Sequence, residues 1–438
     1  MKVVKKLTEL KECVVVDAIR SPLGRSGWKA AVKKGQYYFT TGHELCSQAL
    51  STLVKRVQEK SSDFDPKMIE DVCWSVSAQF GEQGGNLGRI AVIVAGLPDE
   101  IAGWTVDRYC NAGLQGINAQ AMAIMTGSGD VMVAGGQEFM SKYPLGSSIL
   151  AIHGDPKVRR KSKFHKNFIK KTVTMGMAAE LIAEKWELKR EDLDDFSAES
   201  HRRAVKAMRD EDWYKKRICP IEVPEIDSET GNIARDENNK RKMKLTTKDE
   251  TPRAIYLDEP EKAMEKIRSL TPRFKKGGVV TAGNSSAIAD GVSTVMLMSR
   301  EKAEELGLQP MAVIRAMAVA GSDPILMLEG PIPAQEKALA RAGMEMSEMD
   351  VIEPNEAFAS PCLAFAKHFE YDFLDPRVNP TGGGISLGHP IGNSGVLYFV
   401  EMVWELIHQK KPWGIETLCG GGGVGIATIV ENEKKFNP

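Results

Sequence analysis

The chain has 438 residues, of which 42% are hydrophobic and 27% charged, as is ordinary for a globular protein able to bury a large core. Its 58 Lys and Arg residues balance 59 Asp and Glu residues, and the formal net charge of −1 argues against nucleic acid as a main partner. No run of about eighteen apolar residues occurs, which predicts that the chain has no membrane span.

Seven cysteines are scattered singly through the chain, and no two of them are separated by two residues. This pattern is a poor match to a disulfide scaffold or a zinc ribbon and favours a reducing compartment. The N-terminus leads into a polar stretch without the apolar core of a signal peptide. A cytoplasmic location is therefore predicted.

Short apolar runs alternate with helical patterns in the first third of the chain. Strands are predicted at residues 14–16, 72–76, 104–109 and 131–134. Helices are predicted at residues 43–60 and 114–124. Gly135 and Gly136 are expected to end the last of these strands. Strand, helix and strand in this rhythm predict parallel α/β units.

The character of the sequence changes after about residue 144. Residues 157–171 contain eight Lys or Arg and no acid, and helical patterns then continue to about Arg209. Residues 221–265 are charged and poor in apolar runs, which predicts a solvated surface excursion. Compact α/β character returns near Val279.

The C-terminal part repeats the order of elements seen in the N-terminal part. A helical pattern after Gly395 leads into a strand at residues 415–418, and Cys419 and four glycines follow. The same order of helix, strand and glycines occurs around residues 131–136. The repetition predicts two similar halves with an insertion between them.

Cys110 is the first candidate for chemistry, because it lies between a predicted strand and a predicted helix. A helix N-terminus favours the thiolate, and its free N–H groups can stabilise an oxyanion when the sulfur attacks a carbonyl. A cysteine considered alone is more often a small buried core residue.

Three further residues occupy special loops. Cys419 precedes four glycines, whose backbone N–H groups can approach a ligand closely. His389 lies in a glycine-rich loop and could take a proton from a thiol, whereas Asn355 follows a Glu-Pro pair. Considered singly, each has a plain structural interpretation as a turn or loop residue. Together with Cys110 they suit acyl transfer between thiols with carbon–carbon bond chemistry.

Around these positions the chain resembles the thiolase family nearly from end to end. The matching segments are Asp17-Ala18-Ile19-Arg20-Ser21-Pro22, Val133 to Ser141, Met175-Gly176-Met177, Thr281-Ala282-Gly283-Asn284, Asn355-Glu356-Ala357-Phe358, Gly388-His389-Pro390 and Cys419-Gly420-Gly421-Gly422. Each segment is weak alone, but their order and spacing are specific in combination.

The resemblance implies an α/β protein with a five-layered αβαβα core made of two similar halves. It also implies an inserted loop domain that covers the active site and binds coenzyme A. The expected divisions are an N-terminal half at 1–143 plus 277–309, a loop domain at 144–276 and a C-terminal half at 310–438.

The resemblance further implies reversible cleavage of a 3-ketoacyl-CoA by coenzyme A, or the reverse Claisen condensation. Cys110 would be the acylated nucleophile, His389 its activator and Cys419 the acid and base at the α-carbon. Asn355 would hold a water that, with His389, stabilises one thioester oxygen, and the N–H groups of Cys110 and Gly421 would form a second oxyanion hole.

Coenzyme A would be a substrate, so that neither a metal nor another cofactor is needed, and a homodimer or homotetramer is expected. The residues expected to bind coenzyme A are Ser286, Met177, Arg159 and Arg160. For the two arginines, a solvated basic surface is the alternative interpretation.

Two other functions stay open within this resemblance. One is a one-way condensing enzyme of the superfamily, although such enzymes usually lack the second catalytic cysteine. The other is a non-catalytic acyl-CoA-binding relative. The chain also departs from the common pattern, with Asn111-Ala112 where many members have Ser-Ser or Ala-Ser. The length of the acyl chain is not predicted.

Overall fold

The structure, a computed structural model, describes residues 10–26, 35–147, 161–163 and 165–433. The strands are β1 (Cys13–Arg20), β2 (Gly24–Arg25), β3 (Asp71–Ser75), β4 (Ala102–Val106), β5 (Val131–Phe139), β6 (Ile221–Pro224), β7 (Met243–Thr246), β8 (Ala289–Ser299), β9 (Ala312–Gly321), β10 (Val351–Pro354), β11 (Trp413–Gly420) and β12 (Val424–Asn432). The helices are α1 (Gly42–Lys60), α2 (Leu87–Val94), α3 (Ala112–Met125), α4 (Met175–Lys185), α5 (Arg190–Arg209), α6 (Glu211–Arg217), α7 (Ile255–Asp258), α8 (Pro260–Arg268), α9 (Arg300–Glu305), α10 (Pro331–Ala342), α11 (Ala359–His368) and α12 (Ser394–Gln409). A π-helical turn covers His165–Ile169. Among these described helices, none is long and apolar enough to cross a bilayer.

The two similar halves predicted from the sequence are confirmed by the pairing of the strands. In the first half the order is β1-β8-β5-β3-β4, and in the second it is β9-β12-β11-β10. A parallel bridge between Ile352 and Val378 extends the second half by one position. Each half runs through two antiparallel pairings followed by two parallel ones. The halves meet where β1 pairs with β9.

Three apolar clusters divide the core into layers, as expected for a five-layered αβαβα arrangement. Helices α1 and α2 cover the outer face of the first half. Helices α3 and α12 lie between the two halves of the sheet, while α10 and α11 cover the outer face of the second half. Each fully buried Leu or Val side chain in these layers stabilises the fold by about 1.5–3 kcal/mol. The domain borders stay predictions.

Strand β5 corrects the expectation that Gly135 and Gly136 end a strand, because β5 continues to Phe139. A Cβ on Gly135 would lie 2.4 Å from the ring of Trp74. A Cβ on Gly136 would lie 3.0 Å from the carbonyl oxygen of Gly392. These glycines therefore allow close packing on both faces of a central strand.

The region 221–265 is only partly the solvated excursion that its composition predicts. Residues 227–245 are mainly exposed, but Ile221 and Val223 belong to the core cluster beneath α1. Asp249 is buried, with its Oδ1 atom 2.7 Å from Arg20 Nη1. The composition conceals this contact because the two partners are 229 residues apart in the sequence.

Two buried carboxyl groups in the second half have no hydrogen-bond partner within the described residues. Glu353 on β10 and Glu416 on β11 are register neighbours in a parallel pair. Burial raises the pKa of both side chains well above the ordinary range, and Glu401 and Glu416 contribute to the shift of Glu353. Burial therefore favours the protonated form of both groups, because an unpaired buried carboxylate is far more costly.

We expect the Glu416→Gln substitution to stabilise the fold by an amount that grows with pH. Because the folded-state pKa is raised, the native carboxyl contributes its full stability only below its ordinary pKa of 4.5 and loses it as pH rises. The variant has no such loss, so its advantage should grow by up to about 1.4 kcal/mol per pH unit. Urea unfolding at about pH 5 and about pH 8 measures this difference. The exposed Glu304→Gln is the control, and a pH-independent difference for Glu416→Gln would contradict the expectation.

Candidate active site

Cys110 lies in the turn between β4 and α3, as the sequence predicts. The predicted strand 104–109 ends earlier, at Val106, because the following residues form this turn. Asp107 Oδ1 accepts a hydrogen bond from the Tyr109 N–H at 2.7 Å, and Tyr109 has a φ of 52°. A non-glycine residue with positive φ is strained, and here it places Cys110 directly before the N-terminus of α3.

His389 reaches Cys110 from the loop that precedes α12, with its Nε2 atom 3.2 Å from Cys110 Sγ. The chain can make this approach because Gly388 has a φ of +107° and a Cβ there would lie 2.5 Å from Ala289. The His389 N–H donates to the carbonyl oxygen of Ala287 at 2.9 Å. The loop is therefore fixed on both sides of the imidazole.

The contact between Cys110 and His389 depends on how closely α3 and α12 approach each other. A Cβ on Gly113 would lie 2.7 Å from the Val396 nitrogen, and a Cβ on Gly395 would lie 2.2 Å from the Leu114 nitrogen. Only glycine fits at both positions. The first turns of the two helices therefore touch, and the residues just before them meet.

Ser394 determines which nitrogen of His389 carries the proton. The Ser394 hydroxyl donates to the carbonyl oxygen of Pro390 at 3.0 Å, and its oxygen lies 2.6 Å from His389 Nδ1. With its proton already used, Ser394 accepts a hydrogen bond from Nδ1–H. The lone pair of Nε2 then faces the Cys110 thiol, as a proton acceptor must.

We expect Ser394→Ala to slow alkylation of Cys110 by iodoacetamide about 10- to 100-fold, as the loss of an orienting hydrogen bond commonly does. Without the hydroxyl, His389 can place its proton on Nε2 and no longer accept one from Cys110. Mass spectrometry of the Cys110 peptide measures the rate. Ser360→Ala is the matched control, because Ser360 is equally buried and donates to the Ala179 carbonyl instead. Equal rates in the parent and Ser394→Ala would contradict this role.

Burial opposes the thiolate that the helix N-terminus favours at Cys110. Burial raises the pKa of the Cys110 thiol well above its usual value, and burial lowers the pKa of His389 to about 4. A helix terminus contributes about 0.3–1 kcal/mol, which is less than the several kcal/mol needed to desolvate a charge. The resting pair is therefore a neutral thiol beside a neutral imidazole.

Cys419 lies at the end of β11 and is 1% exposed. It belongs to an apolar cluster that includes Ala178 and Ile182 from α4 and Phe358. Burial raises the pKa of its thiol to about 12, so Cys419 holds its proton at neutral pH. Cys419 also lies close enough to Cys110 to raise the pKa of the Cys110 thiol.

Asn355 follows β10, and its Nδ2 atom lies 3.5 Å from His389 Nε2. Its Oδ1 atom is buried without a hydrogen-bond partner within the described residues. The next residue, Glu356, is fully enclosed and accepts hydrogen bonds from Ser200 Oγ at 2.6 Å and Asn379 Nδ2 at 2.7 Å. Glu356 thereby holds the segment that carries Asn355.

The structure brings Cys110, His389, Cys419 and Asn355 together. Gly421 lies in the turn between β11 and β12, where a Cβ would be 3.7 Å from the ring of Tyr109. The half-buried Ser286 donates through its N–H to the Ala357 carbonyl at 3.0 Å. Met177 is half-buried in the first turn of α4. Arg159 and Arg160 lie outside the described residues.

Sequence reasoning missed Glu138, which supports the loops around the nucleophile. Its carboxylate accepts hydrogen bonds from the N–H groups of Ser77 at 3.0 Å, Ala78 at 3.1 Å and Gly392 at 2.8 Å. Burial raises its pKa, and these hydrogen bonds oppose the shift. A glutamate near the end of an otherwise uncharged strand, separated from two glycines by Gln137, was the available signal. Its partners are too distant in sequence to be predicted.

Comparison with known proteins agrees with this geometry. The model of the thiolase N-terminal domain matches residues 13–301, and that of the thiolase C-terminal domain matches residues 308–432. The chain therefore belongs to the thiolase family, and it is an acyltransferase.

Individual relatives resemble the chain over nearly its full length. A 3-ketoacyl-CoA thiolase of Idiomarina loihiensis is 38% identical over 96% of this chain and 100% of its own. One from Psychrobacter cryohalolentis is 37% identical, covering 96% of this chain and 98% of its own. The crystal structure of the Bacillus anthracis acetyl-CoA acetyltransferase matches with a TM-score of 0.80 and 35% identity, over 97% of this chain and 99% of that one.

Proposed function

We propose that the protein cleaves 3-ketoacyl-CoA thioesters with coenzyme A, reversibly, through an acyl-enzyme on Cys110. The observation that carries the proposal is the 3.2 Å contact between Cys110 Sγ and His389 Nε2, with Cys419 beside it. One thiol can then carry the acyl group while the other handles the proton at carbon.

In the first half of the reaction, His389 Nε2 takes the Cys110 proton as the sulfur attacks the 3-keto carbon. The carbon–carbon bond breaks, and the Cys419 thiol protonates the α-carbon so that acetyl-CoA leaves. In the second half, the Cys419 thiolate takes the proton of the incoming coenzyme A, whose sulfur attacks the acyl group. Cys110 departs as a thiolate and recovers its proton from His389, which returns the site to its neutral resting state.

In both halves of the reaction, negative charge develops on a substrate oxygen, and hydrogen-bond donors are needed to stabilise it. A water held by Asn355 is proposed to serve one thioester oxygen together with His389, because the buried Asn355 Oδ1 atom can accept a hydrogen bond from that water beside the imidazole. The backbone N–H groups of Cys110 and Gly421 are proposed to serve the other. Removing one such donor typically costs about 10²–10³ in rate.

Coenzyme A is proposed to lie along Ser286 and Met177, with its phosphates near the basic segment that includes Arg159 and Arg160. The described part of that segment supports this position. A Cβ on Gly422 would lie 3.3 Å from the ring of Phe168, so the exposed lysines around Phe168 lie near the glycine turn. The absence of a further cofactor, a homo-oligomeric state and a cytoplasmic location stay predictions.

A coenzyme A-dependent assay on 3-ketoacyl-CoA thioesters of graded chain length tests the proposal. Cleavage of at least one thioester is expected, and the preferred one would define the acyl-chain range. If folded protein condenses acyl-CoA but cleaves none of the panel, a one-way condensing enzyme is the better description. If it binds acyl-CoA but neither condenses nor cleaves it, a non-catalytic acyl-CoA-binding relative is the better description.

A further inference from the structure

Asn111, the residue after Cys110, bridges the two candidate catalytic cysteines. It is completely buried. With its amide nitrogen turned toward β11, it donates to the carbonyl oxygens of Leu418 at 3.0 Å and Cys419 at 2.9 Å. The opposite orientation would set the amide oxygen against both carbonyls, so the hydrogen bonds define the orientation.

We propose that Asn111 is a positioning residue that holds Cys419 at a fixed distance from Cys110; this inference rests on the proposed function. One end of Asn111 is joined to Cys110 by a peptide bond, and the other end is bonded to the Cys419 backbone. Gly420 leaves room for this bridge, since a Cβ there would lie 3.3 Å from the amide group.

The strand that carries Cys419 needs such support at its end. The pairing of β11 with β10 stops at Thr417, whereas its pairing with β12 continues to Gly420. Asn111 therefore bonds to β11 just beyond the last pair that β10 provides. A serine at this position would have one O–H donor and could not satisfy both carbonyls as the two N–H groups of asparagine do.

Separating the two sulfur-dependent steps tests the proposal. During exchange of acetyl groups between acetyl-CoA and a second thiol, the thiol proton that Cys419 handles can also pass to and from solvent. Exchange of the acetyl-CoA α-protons with deuterium instead needs Cys419 itself, because a proton on carbon moves only to a positioned base. We expect Asn111→Ser to lower α-proton exchange and thiolysis about 10- to 100-fold, because small misplacements of reacting groups have effects of that size. Acetyl exchange between thiols should stay within about threefold of the parent. Asn111→Asp, which has the same size but lacks the N–H donors, should show the same separation.

Asn118→Ser is the matched control. Asn118 is a buried asparagine on the same helix, and its Oδ1 atom accepts from Thr428 Oγ1 at 2.9 Å, which joins α3 to the neighbouring strand β12. Its loss should reduce thermal stability without separating the two steps. A parallel fall of both steps in Asn111→Ser, or no fall in either, would overturn the proposal.

A measurement that needs no activity distinguishes this proposal from the proposed function. Amide hydrogen exchange of the peptide containing residues 417–420 should be faster in Asn111→Ser than in the parent or in Asn118→Ser. Unchanged protection would overturn the positioning role even if thiolysis is present. Faster exchange in a protein whose parent cleaves no thioester would instead retain the bridge and reject the function.

Discussion

The Cys110→Ala protein is expected to lose thiolysis by at least about 10⁴-fold, because removal of a nucleophile leaves only binding and oxyanion stabilisation. His389 would then have no thiol to deprotonate, and no sulfur would lie at its Nε2 atom. Intact-protein mass spectrometry after addition of acetyl-CoA provides the direct measurement. The parent should gain one acetyl group and the variant none.

The control for this experiment is Cys46→Ala. Cys46 is a buried free thiol on α1, in a different layer of the core. Its removal should lower stability somewhat but leave both the acetyl adduct and turnover in place. Turnover by Cys110→Ala with an acetyl group on another cysteine would assign the nucleophile elsewhere and reject the proposed mechanism.

The layered fold was predictable because both signals that define it are local. Apolar periodicity marked α1, α3 and the buried strands, and the order of helix, strand and glycine repeated in the two halves. The errors arose where long-range contacts override composition. Gly135 packs against Trp74 inside a continuing strand, and the acidic Asp249 is buried by an arginine from β1. Neither partner can be identified from a single sequence.

The residues of the candidate site also fall into a group that local sequence could predict and a group that depends on long-range contacts. Cys110, His389, Cys419 and Asn355 lie in loops with unusual glycine content or family-like motifs, so their residue types and positions drew attention. Ser394, Glu138 and Asn111 act through hydrogen bonds whose geometry only the fold creates. The burial that raises the pKa of Cys110 could not be predicted either, because it depends on the whole surrounding structure.

The Cys419→Ala protein should retain acylation of Cys110 and lose carbon–carbon bond chemistry. Cys419 is enclosed by apolar side chains and keeps its proton at neutral pH, so it is suited to donate that proton to a developing carbanion. Loss of a general acid and base typically costs about 10²–10⁴ in rate. The rate of acetyl-enzyme formation from acetyl-CoA should change less than about tenfold. The rates of thiolysis and α-proton exchange should fall by about 10²–10⁴.

Cys362→Ala is the matched control for this separation, because Cys362 is a buried thiol whose electrostatic neighbours include Cys419. Both steps should stay within about tenfold of the parent in that variant, since an alanine there removes a packed sulfur and one weak hydrogen bond to the Asn355 carbonyl oxygen at 3.7 Å. Equal losses of acylation and α-proton exchange in Cys419→Ala would contradict the division of roles between the two sulfurs. Cys419 would then contribute to the environment of Cys110, and the proton at carbon would need another donor.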